Sequence, residues 1–192
     1  MLFRSGRALH VINEEITRLE KSIQTFLDFA RPPVPEKSTV NVSDLIQYVF
    51  NLVSARATQQ EVRILLDLPK EPVTAVVDTS QIRQLVLNLV LNALDALPNG
   101  GEVTVKVAPE QASHATSKPS FVIRIRDNGP GIPEDLMGTL FEPFVTTKET
   151  GSGLGLSICH RIATAHGGTL SVRNVQPHGA EFILSLPYPP ND

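Results

Sequence analysis

The chain has 192 residues, a net charge of −3 and a hydrophobic fraction of 41%, which suffices for one substantial core and a smaller appended element. Interspersed charges, two tyrosines and no tryptophan argue against a nucleic-acid partner, which needs a basic surface and stacking aromatic side chains. No apolar run approaches the ~20 residues of a membrane span, and no signal-peptide pattern is present. We therefore expect a cytoplasmic protein without membrane contact in this chain, which is compatible with a membrane anchor in a longer parent.

The one cysteine, Cys159, excludes an internal disulfide and a cysteine-rich zinc site. It lies in the apolar phase of LSICHRIA, so we predict that it is a buried small hydrophobic residue and not a nucleophile.

Residues 8–30 carry an apolar seam whose spacings alternate between three and four, which is typical of a helix in a bundle. Its members are Ile12, Ile16, Leu19, Ile23, Leu27 and Ala30. The prolines of RPPVPEKS then end the helix and form a stiff linker. This pattern predicts a bundle helix in residues 1–32, a Pro-rich linker in 33–39, a second domain in 40–188 and a tail in 189–192.

Helices and strands alternate irregularly after the linker. A helix capped by Ser43 is predicted to run to about residue 60, and a second, capped by Thr79 or Ser80, to end before PNGG. Six further segments read as strands, with a polar loop at 109–119. They are VRILLDL, VTAVVD, EVTVKVA, SFVIRIRD, TLSVRNV and AEFILSLP, the last two joined by QPHG. The order predicts an α/β two-layer sandwich, with a mixed sheet covered by helices on one face, preceded by the long N-terminal bundle helix.

Three polar residues interrupt the apolar stripe of the second helix. Asn88, Asn92 and Asp95 are four and three residues apart and so share one helical face. They could hydrogen-bond neighbouring backbone or face solvent. Alternatively, amide oxygens are suited to Mg²⁺, which shares its coordination shell with substrate phosphates.

The stretch DNGPGIP at 127–133 follows a predicted strand. Asp and Gly at these positions are sufficient for a tight turn. Asp127 is also expected to emerge from an edge of the sheet at the mouth of a cleft, where its carboxylate could accept a hydrogen bond from an exocyclic amine. Gly129 and Gly131 would then let a flat ring lie against the backbone.

FEPFVTTK at 141–148 and GSGLGLS at 151–157 place hydroxyls, one cation and alternating glycines before a helix. Backbone amides at a helix N-terminus form a phosphate cradle. Glycine spacing alone is weak support for such a cradle. The stretch is not a P-loop, since no GK[ST] follows, and it is a poor dinucleotide motif, since the glycines follow a loop.

In this order, the motifs resemble the ATP-binding catalytic domain of sensor histidine kinases, in the GHKL superfamily. NLVLNALDA resembles the N box, DNGPGIP the G1 box, FEPFVTTK the F box, GSGLGLS the G2 box and HGG at 166–168 a G3-like element. The match covers residues 40–188, and residues 8–33, which end in F-A-R-P, resemble the second helix of the dimerisation and phosphotransfer domain.

The resemblance implies ATP and Mg²⁺ as cofactors. Asn88 and Asn92 would face the metal and the phosphates, with Asn92 as the metal ligand, and Asp127 would bind the adenine amine. Asn88, Asn92 and Lys148 would form the catalytic set, and Lys148 would belong to a mobile glycine-rich lid over the phosphates. The further nucleotide-binding residues implied are Asp95, Gly129, Gly131, Ile132, Phe144, Thr146, Thr147, Gly151, Ser152, Gly153, Leu154, Gly155 and Leu156.

The chain departs from the family pattern at two places. Ala180 stands where a hydroxyl residue often supports the adenine carboxylate, so we expect weaker nucleotide binding or a water there. No segment matches the histidine box, and none of His10, His114, His160, His166 and His178 has its context. We therefore expect the chain to be the C-terminal portion of a longer kinase whose phosphoacceptor is elsewhere.

The implied function is transfer of the ATP γ-phosphate to a histidine on a dimerisation domain, for relay to the receiver domain of a response regulator. A homodimer would form through the N-terminal helix when the helical hairpin is complete. Two alternatives stay open. One is a GHKL-type ATPase, disfavoured because Asn88 stands where ATP-hydrolysing relatives carry Glu. The other is a nucleotide-binding regulatory scaffold without a phosphoacceptor of its own.

Overall fold

The structure, a computed structural model, describes residues 16, 26, 34–110, 120–148 and 151–188. The predicted helix at 8–30 lies outside the described residues except for Ile16 and Phe26, which are both helical. Most of the predicted loop at 109–119 and the tail at 189–192 also lie outside them. Within the described ranges, no helix is long and apolar enough to cross a bilayer.

The described residues form eleven secondary-structure elements. They are β1 (Ser38–Asn41), α1 (Val42–Gln59), β2 (Val62–Asp67), β3 (Thr74–Val77), α2 (Thr79–Asp95), β4 (Gly101–Pro109), β5 (Ser120–Asp127), α3 (Glu134–Met137), α4 (Gly155–Ala165), β6 (Thr169–Asn174) and β7 (Ala180–Pro187). The two long helices and the six strands predicted from the sequence are all present, and their bounds lie close to the predicted ones.

The main sheet has five strands in the order β2–β4–β5–β7–β6. Strands β2 and β4 are parallel, and the other neighbours are antiparallel. A parallel pair needs a crossover connection, and the segment that contains α2 supplies it. The predicted mixed sheet is therefore confirmed.

Helices α1, α2 and α4 pack on the sheet, and α2 packs on both α1 and α4. The side chains of Leu85, Leu89 and Leu94 on α2 are fully buried, as are Ile123 on β5 and Leu184 on β7. Full burial of one such side chain contributes about 1.5–3 kcal/mol, so this layer fixes the orientation of α2. The prediction of a two-layer α/β sandwich is confirmed.

A second, two-stranded sheet was not predicted from the sequence. Strand β1 pairs antiparallel with β3, with Ser38 opposite Val77 and Asn41 opposite Thr74. Strand β1 begins within the segment interpreted as linker, so the end of that segment is tied to the domain by a ladder of backbone hydrogen bonds.

Both predicted helix caps are wrong by one or two residues. Helix α1 is capped by Asn41, whose Oδ1 accepts from the Ser43 amide at 2.9 Å, and not by Ser43. Helix α2 is capped by Asp78, and not by Thr79 or Ser80. Each cap adopts an extended backbone and satisfies amides of the first turn with a side-chain oxygen.

The carboxylate of Asp78 joins two segments. Its Oδ1 accepts from the amides of Ser80 and Gln81 at 2.9 and 3.1 Å, and its Oδ2 accepts from the amide of Glu36 at 2.9 Å. Burial raises the pKa of Asp78, but the hydrogen bond from the Ser80 hydroxyl at 2.7 Å and those from the three amides together outweigh burial and hold the pKa below its usual value. Asp78 therefore stays ionised while it holds both the helix and the segment before β1.

His166, at the end of α4, is buried and uses both ring nitrogens. Its Nε2 accepts from the Asp78 amide at 3.0 Å, so Nδ1 carries the proton that is donated to the Ile162 carbonyl at 2.8 Å. Burial lowers the pKa of His166; nearby Lys37 also lowers it, whereas the Ile162 carbonyl and Asp78 raise it. The folded protein therefore favours the neutral ring.

We expect the free energy of unfolding to fall as the pH drops below about 6.5, the ordinary histidine value, because the unfolded chain then binds a proton that folded His166 resists. This single group contributes a slope of at most about 1.4 kcal/mol per pH unit. Urea unfolding measured between about pH 7 and about pH 5 tests this slope. Replacing His166 by Gln should remove it, and the same change at exposed His160 on the same helix is the matched control. An unchanged slope in His166→Gln would assign the titration to another group.

Candidate nucleotide site

Helix α2 presents Asn88, Asn92 and Asp95 on one face, outside its fully buried stripe. Both asparagines are half-buried, and the side chain of Asp95 is 30% exposed. The predicted shared face is therefore present, because the apolar side of the helix is committed to the core.

Asp95 and Asn92 together hold the ammonium group of Lys148. Lys148 Nζ donates to Asn92 Oδ1 at 2.8 Å and forms an ion pair with Asp95 Oδ2. Arg56, in the last turn of α1, pairs with the other oxygen, Asp95 Oδ1. Burial raises the pKa of Asp95, but the hydrogen bonds and charges of Lys148 and Arg56 outweigh burial and lower it. An amide oxygen and an ionised carboxylate thus converge on one cation.

Asn88 has a different neighbour, since its side chain lowers the pKa of the Cys159 thiol on α4, whose Sγ itself donates to the Leu85 carbonyl at 3.8 Å. Cys159 is completely buried, and burial raises its pKa to about 12, so the thiol stays protonated. The prediction of a buried, unreactive cysteine is confirmed. Asn88 therefore joins α2 to α4, one turn away from the pair that contacts Lys148.

Asp127 is the last residue of β5 and is 4% exposed. The expectation that it emerges from a sheet edge is wrong, because β5 is the central strand and Asp127 lies at its carboxyl end. Its Oδ1 accepts from the amides of Gly129 at 2.9 Å and Ala180 at 3.3 Å. The backbone of Ala180 thus supports the carboxylate at the position where a side-chain hydroxyl was expected.

Burial raises the pKa of Asp127, and the amides of Gly129 and Ala180 oppose this only in part. Any further hydrogen-bond donor that reaches this buried carboxylate would stabilise its ionised form. The following loop turns sharply at Gly131, whose φ is +82°. Ile132, half-buried next to it, bonds through its backbone to the Asn174 side chain.

Phe144 and Gly153 close the base of the predicted lid. The Phe144 amide donates to the Gly153 carbonyl at 2.9 Å, and both residues have positive φ. A Cβ at Gly153 would lie 2.4 Å from the Phe144 carbonyl carbon, so only glycine fits there.

Short contacts also order the residues around Lys148. The Oγ1 of Thr146 accepts from the Lys148 amide at 3.1 Å, and the Gly151 amide donates to the Lys148 carbonyl at 3.1 Å. Thr147 is exposed next to Lys148, and Ser152 Oγ accepts from the Leu154 amide at 3.3 Å. Leu154 is buried and anchors the segment to the core.

Helix α4 begins at Gly155, followed by half-buried Leu156. A Cβ at Gly155 would meet no atom within 4 Å. The fold therefore does not need glycine at this helix N-terminus, in contrast to Gly153.

Helix α2 brings these groups together. A Cβ at Gly129 would lie 3.2 Å from the Ala96 carbonyl just past the end of α2, so the loop after Asp127 adjoins that end. Lys148 contacts Asn92 and Asp95, and Asn88 contacts α4. The loop after β5, the F-box segment and α4 thus follow one another along α2.

Several contributors were not predicted from the sequence. Arg56 reaches Asp95 from a separate helix. The sequence hint for this contact was the place of Arg56 in the last turn of α1. Asn174, the last residue of β6, and His178, in the turn that follows, contact the loop after Asp127, and neither contact was predicted.

A cavity of about 660 Å³ lies elsewhere, among Val34, Pro35, the start of α2 and the last turns of α4. Its lining includes none of the predicted site residues. In the described part of the chain, no group of three or more His, Cys, Asp or Glu side chains could hold a metal by itself.

The chain is similar to known proteins. Residues 77–190 match the family model described as histidine kinase-, DNA gyrase B- and HSP90-like ATPase. The chain is 34% identical over 184 residues to the signal transduction histidine-protein kinase AtoS of Escherichia coli strain K12, covering 95% of this chain and 29% of AtoS.

Two solved structures are also similar. Full-length ShkA in complex with AMPPNP superposes with a TM-score of 0.81 at 26% identity, covering 94% of this chain and 38% of that one. Histidine kinase ThkA in complex with the response regulator protein TrrA gives a TM-score of 0.75 at 28% identity, covering 95% of this chain and 51% of that one.

The chain spans between 12% and 38% of the length of the first curated relatives it matches. The matched residues include α2, the turn after β5, the lid segment and α4. The chain belongs to the histidine kinase-, DNA gyrase B- and HSP90-like ATPase family, and it carries the ATP-binding catalytic domain of a sensor histidine kinase.

Proposed function

We propose that this chain binds ATP with Mg²⁺ and presents the γ-phosphate to a histidine on a helical dimerisation domain, for relay to a response regulator. The observation that carries the proposal is the position of the Lys148 ammonium group between Asn92 Oδ1 and the Asp95 carboxylate. A cation already lies against the helix that the N box assigns to the metal and phosphates.

Asn92 would hold Mg²⁺, with Asp95 beside it. Bound Mg²⁺ would neutralise charge on the phosphates. The donor set fits, because hard oxygens suit Mg²⁺ and the ion takes most of its remaining ligands from water and phosphate. The ion pair of Lys148 is partly exposed, so it is worth about 0–1 kcal/mol and is easily exchanged for stronger partners. Lys148 would then move to the phosphates.

Asp127 would accept the exocyclic amine of adenine, and Gly129, Gly131 and Ile132 would line the base pocket. The raised pKa supports this role, since a desolvated carboxylate lacks compensation that a ligand amine would provide. The open space at Gly155 supports close approach of phosphate to backbone amides at the start of α4. The remaining lid residues, including Phe144, Thr146, Thr147, Ser152, Leu154 and Leu156, would order around the triphosphate.

The identity of residue 88 favours phosphoryl transfer over hydrolysis. The amide of Asn88 is not basic, so this position offers no carboxylate to activate water. A neutral imidazole is nucleophilic near neutral pH and needs no such base. The chain's own part would be positioning and charge neutralisation.

The histidine acceptor, a homodimer through residues 8–30 and a cytoplasmic location belong to the same proposal. ThkA bound to a response regulator protein supports a receiver domain as the partner. Neither nucleic acid nor a membrane is proposed to contact the described residues.

Mixing the chain with ATP, Mg²⁺ and a separately made helical domain that carries an acceptor histidine tests the transfer. We expect acid-labile, base-stable phosphohistidine on the acceptor. Release of inorganic phosphate without it would favour the ATPase, and nucleotide binding without either product would favour the regulatory scaffold.

Replacing Asn92 by Ala should abolish Mg²⁺-dependent ATP binding, because it removes the amide oxygen proposed to contact the metal. Titration calorimetry with and without Mg²⁺ measures the loss. The matched control is Asn51→Ala on the exposed side of α1. Unchanged binding in Asn92→Ala would remove Asn92 from the site.

Replacing Asp127 by Asn should weaken ATP binding by roughly 1–3 kcal/mol, because a charge-assisted hydrogen bond to the base is lost. In the wild type, ATP affinity should also fall on acidification at a higher pH than for an ordinary aspartate, since burial raises the pKa of Asp127 and protonation removes the acceptor. Calorimetry with ATP and GTP measures both effects. Equal wild-type affinity for the two nucleotides would show that Asp127 does not read the base.

A further inference from the structure

The β6–β7 turn holds the loop that follows Asp127 from outside the predicted motifs. Asn174, the last residue of β6, uses its whole side-chain amide on one residue of that loop. Its Oδ1 accepts from the Ile132 amide at 2.8 Å, and its Nδ2 donates to the Ile132 carbonyl at 2.8 Å. The peptide groups on both sides of Ile132 are therefore fixed by a single side chain.

Further contacts leave little freedom between the turn and the loop. A Cβ at Gly131 would lie 2.8 Å from Asn174 Oδ1, and a Cβ at Gly179 would lie 2.0 Å from the Asp127 carbonyl oxygen. His178 Nδ1 lies 3.3 Å from the Gly129 carbonyl oxygen. Because both glycines also have positive φ, the two segments approach as closely as their backbones allow.

Asn174 is exposed to solvent, unlike the core residues that stabilise the sheet. Exposed hydrogen bonds add little to the free energy of folding, because water competes for both partners. A side chain that both donates and accepts toward one residue fixes geometry more than it adds stability. A carboxylate keeps only the acceptor, and a leucine of similar size keeps neither group.

We propose that Asn174 is a positioning residue that sets the base specificity of the nucleotide site, an inference that rests on the proposed function. By fixing Ile132 it holds the loop of Gly129–Ile132 against Asp127, so the width of the base pocket is set before a nucleotide enters. A purine that presents an amine to Asp127 is then accepted, and one that presents a carbonyl at the same place is rejected. Without the tether, the loop moves away and both purines fit.

The test compares Asn174→Leu and Asn174→Asp with the wild type, using equilibrium titration of the 192-residue chain with ATP and with GTP. We expect ATP affinity to fall about tenfold in Asn174→Leu, which loses two hydrogen bonds, and less in Asn174→Asp, which keeps one. The preference for ATP over GTP should shrink in the same order. Asn51→Leu, which removes an exposed amide from α1, is the control and should change neither quantity.

Amide hydrogen exchange at Ile132 gives a second readout that needs no nucleotide. Exchange should be faster in Asn174→Leu, with an unchanged thermal unfolding midpoint. If the wild type prefers ATP and Asn174→Leu keeps the same preference, the inference is overturned and the proposed function stands. If the wild type binds neither nucleotide, the proposed function is overturned together with the inference.

Discussion

The packing of α2 against the sheet is the constraint on which the site depends. Leu85, Leu89 and Leu94 are completely buried, and together their burial is worth several kcal/mol. The partly exposed polar contacts of Asn92 and Asp95 are worth about 1 kcal/mol each. The core therefore decides how α2 is rotated about its axis, and this rotation places Asn88, Asn92 and Asp95 outside the fully buried stripe.

Asp95 is the centre of two ion pairs in the candidate site. Each carboxylate oxygen pairs with a different cation, Arg56 from α1 and Lys148 from the F-box segment. Arg56 comes from a packed helix, whereas Lys148 lies in a segment with few buried side chains. Of the two cations, Lys148 is the one that can leave without disturbing the core. In the proposed function, a bound cation would take the place of Lys148 while Asp95 keeps its ion pair with Arg56.

Sequence periodicity was sufficient for the fold class and for the polar face of α2, because buried and exposed positions alternate regularly there. It was insufficient for the helix caps, since Asn41 and Asp78 stand next to serines and threonines that cap equally well. It also missed β1, a four-residue strand whose partner lies more than thirty residues further along the chain. The carboxylate of Asp127 was identified by its motif, but its place on the central strand depends on strand order, which composition does not encode.

The side-chain partners were the least predictable part of the site. Asn174 and Ile132 are 42 residues apart, and Lys148 and Asn92 are 56 apart. Helical and strand periodicity relates residues within one element only. Contacts over these separations therefore follow from the tertiary arrangement. Asn88 is the clearest example, because it shares a helical face with Asn92 while its neighbour is Cys159 on α4.

The two oxygens of Asp78 have a mechanical consequence. One oxygen accepts hydrogen bonds from the first turn of the helix that bears Asn92. The other accepts from the amide of Glu36, where the chain enters the domain. A displacement of the Glu36 peptide would therefore alter a hydrogen bond of the same carboxylate that caps this helix.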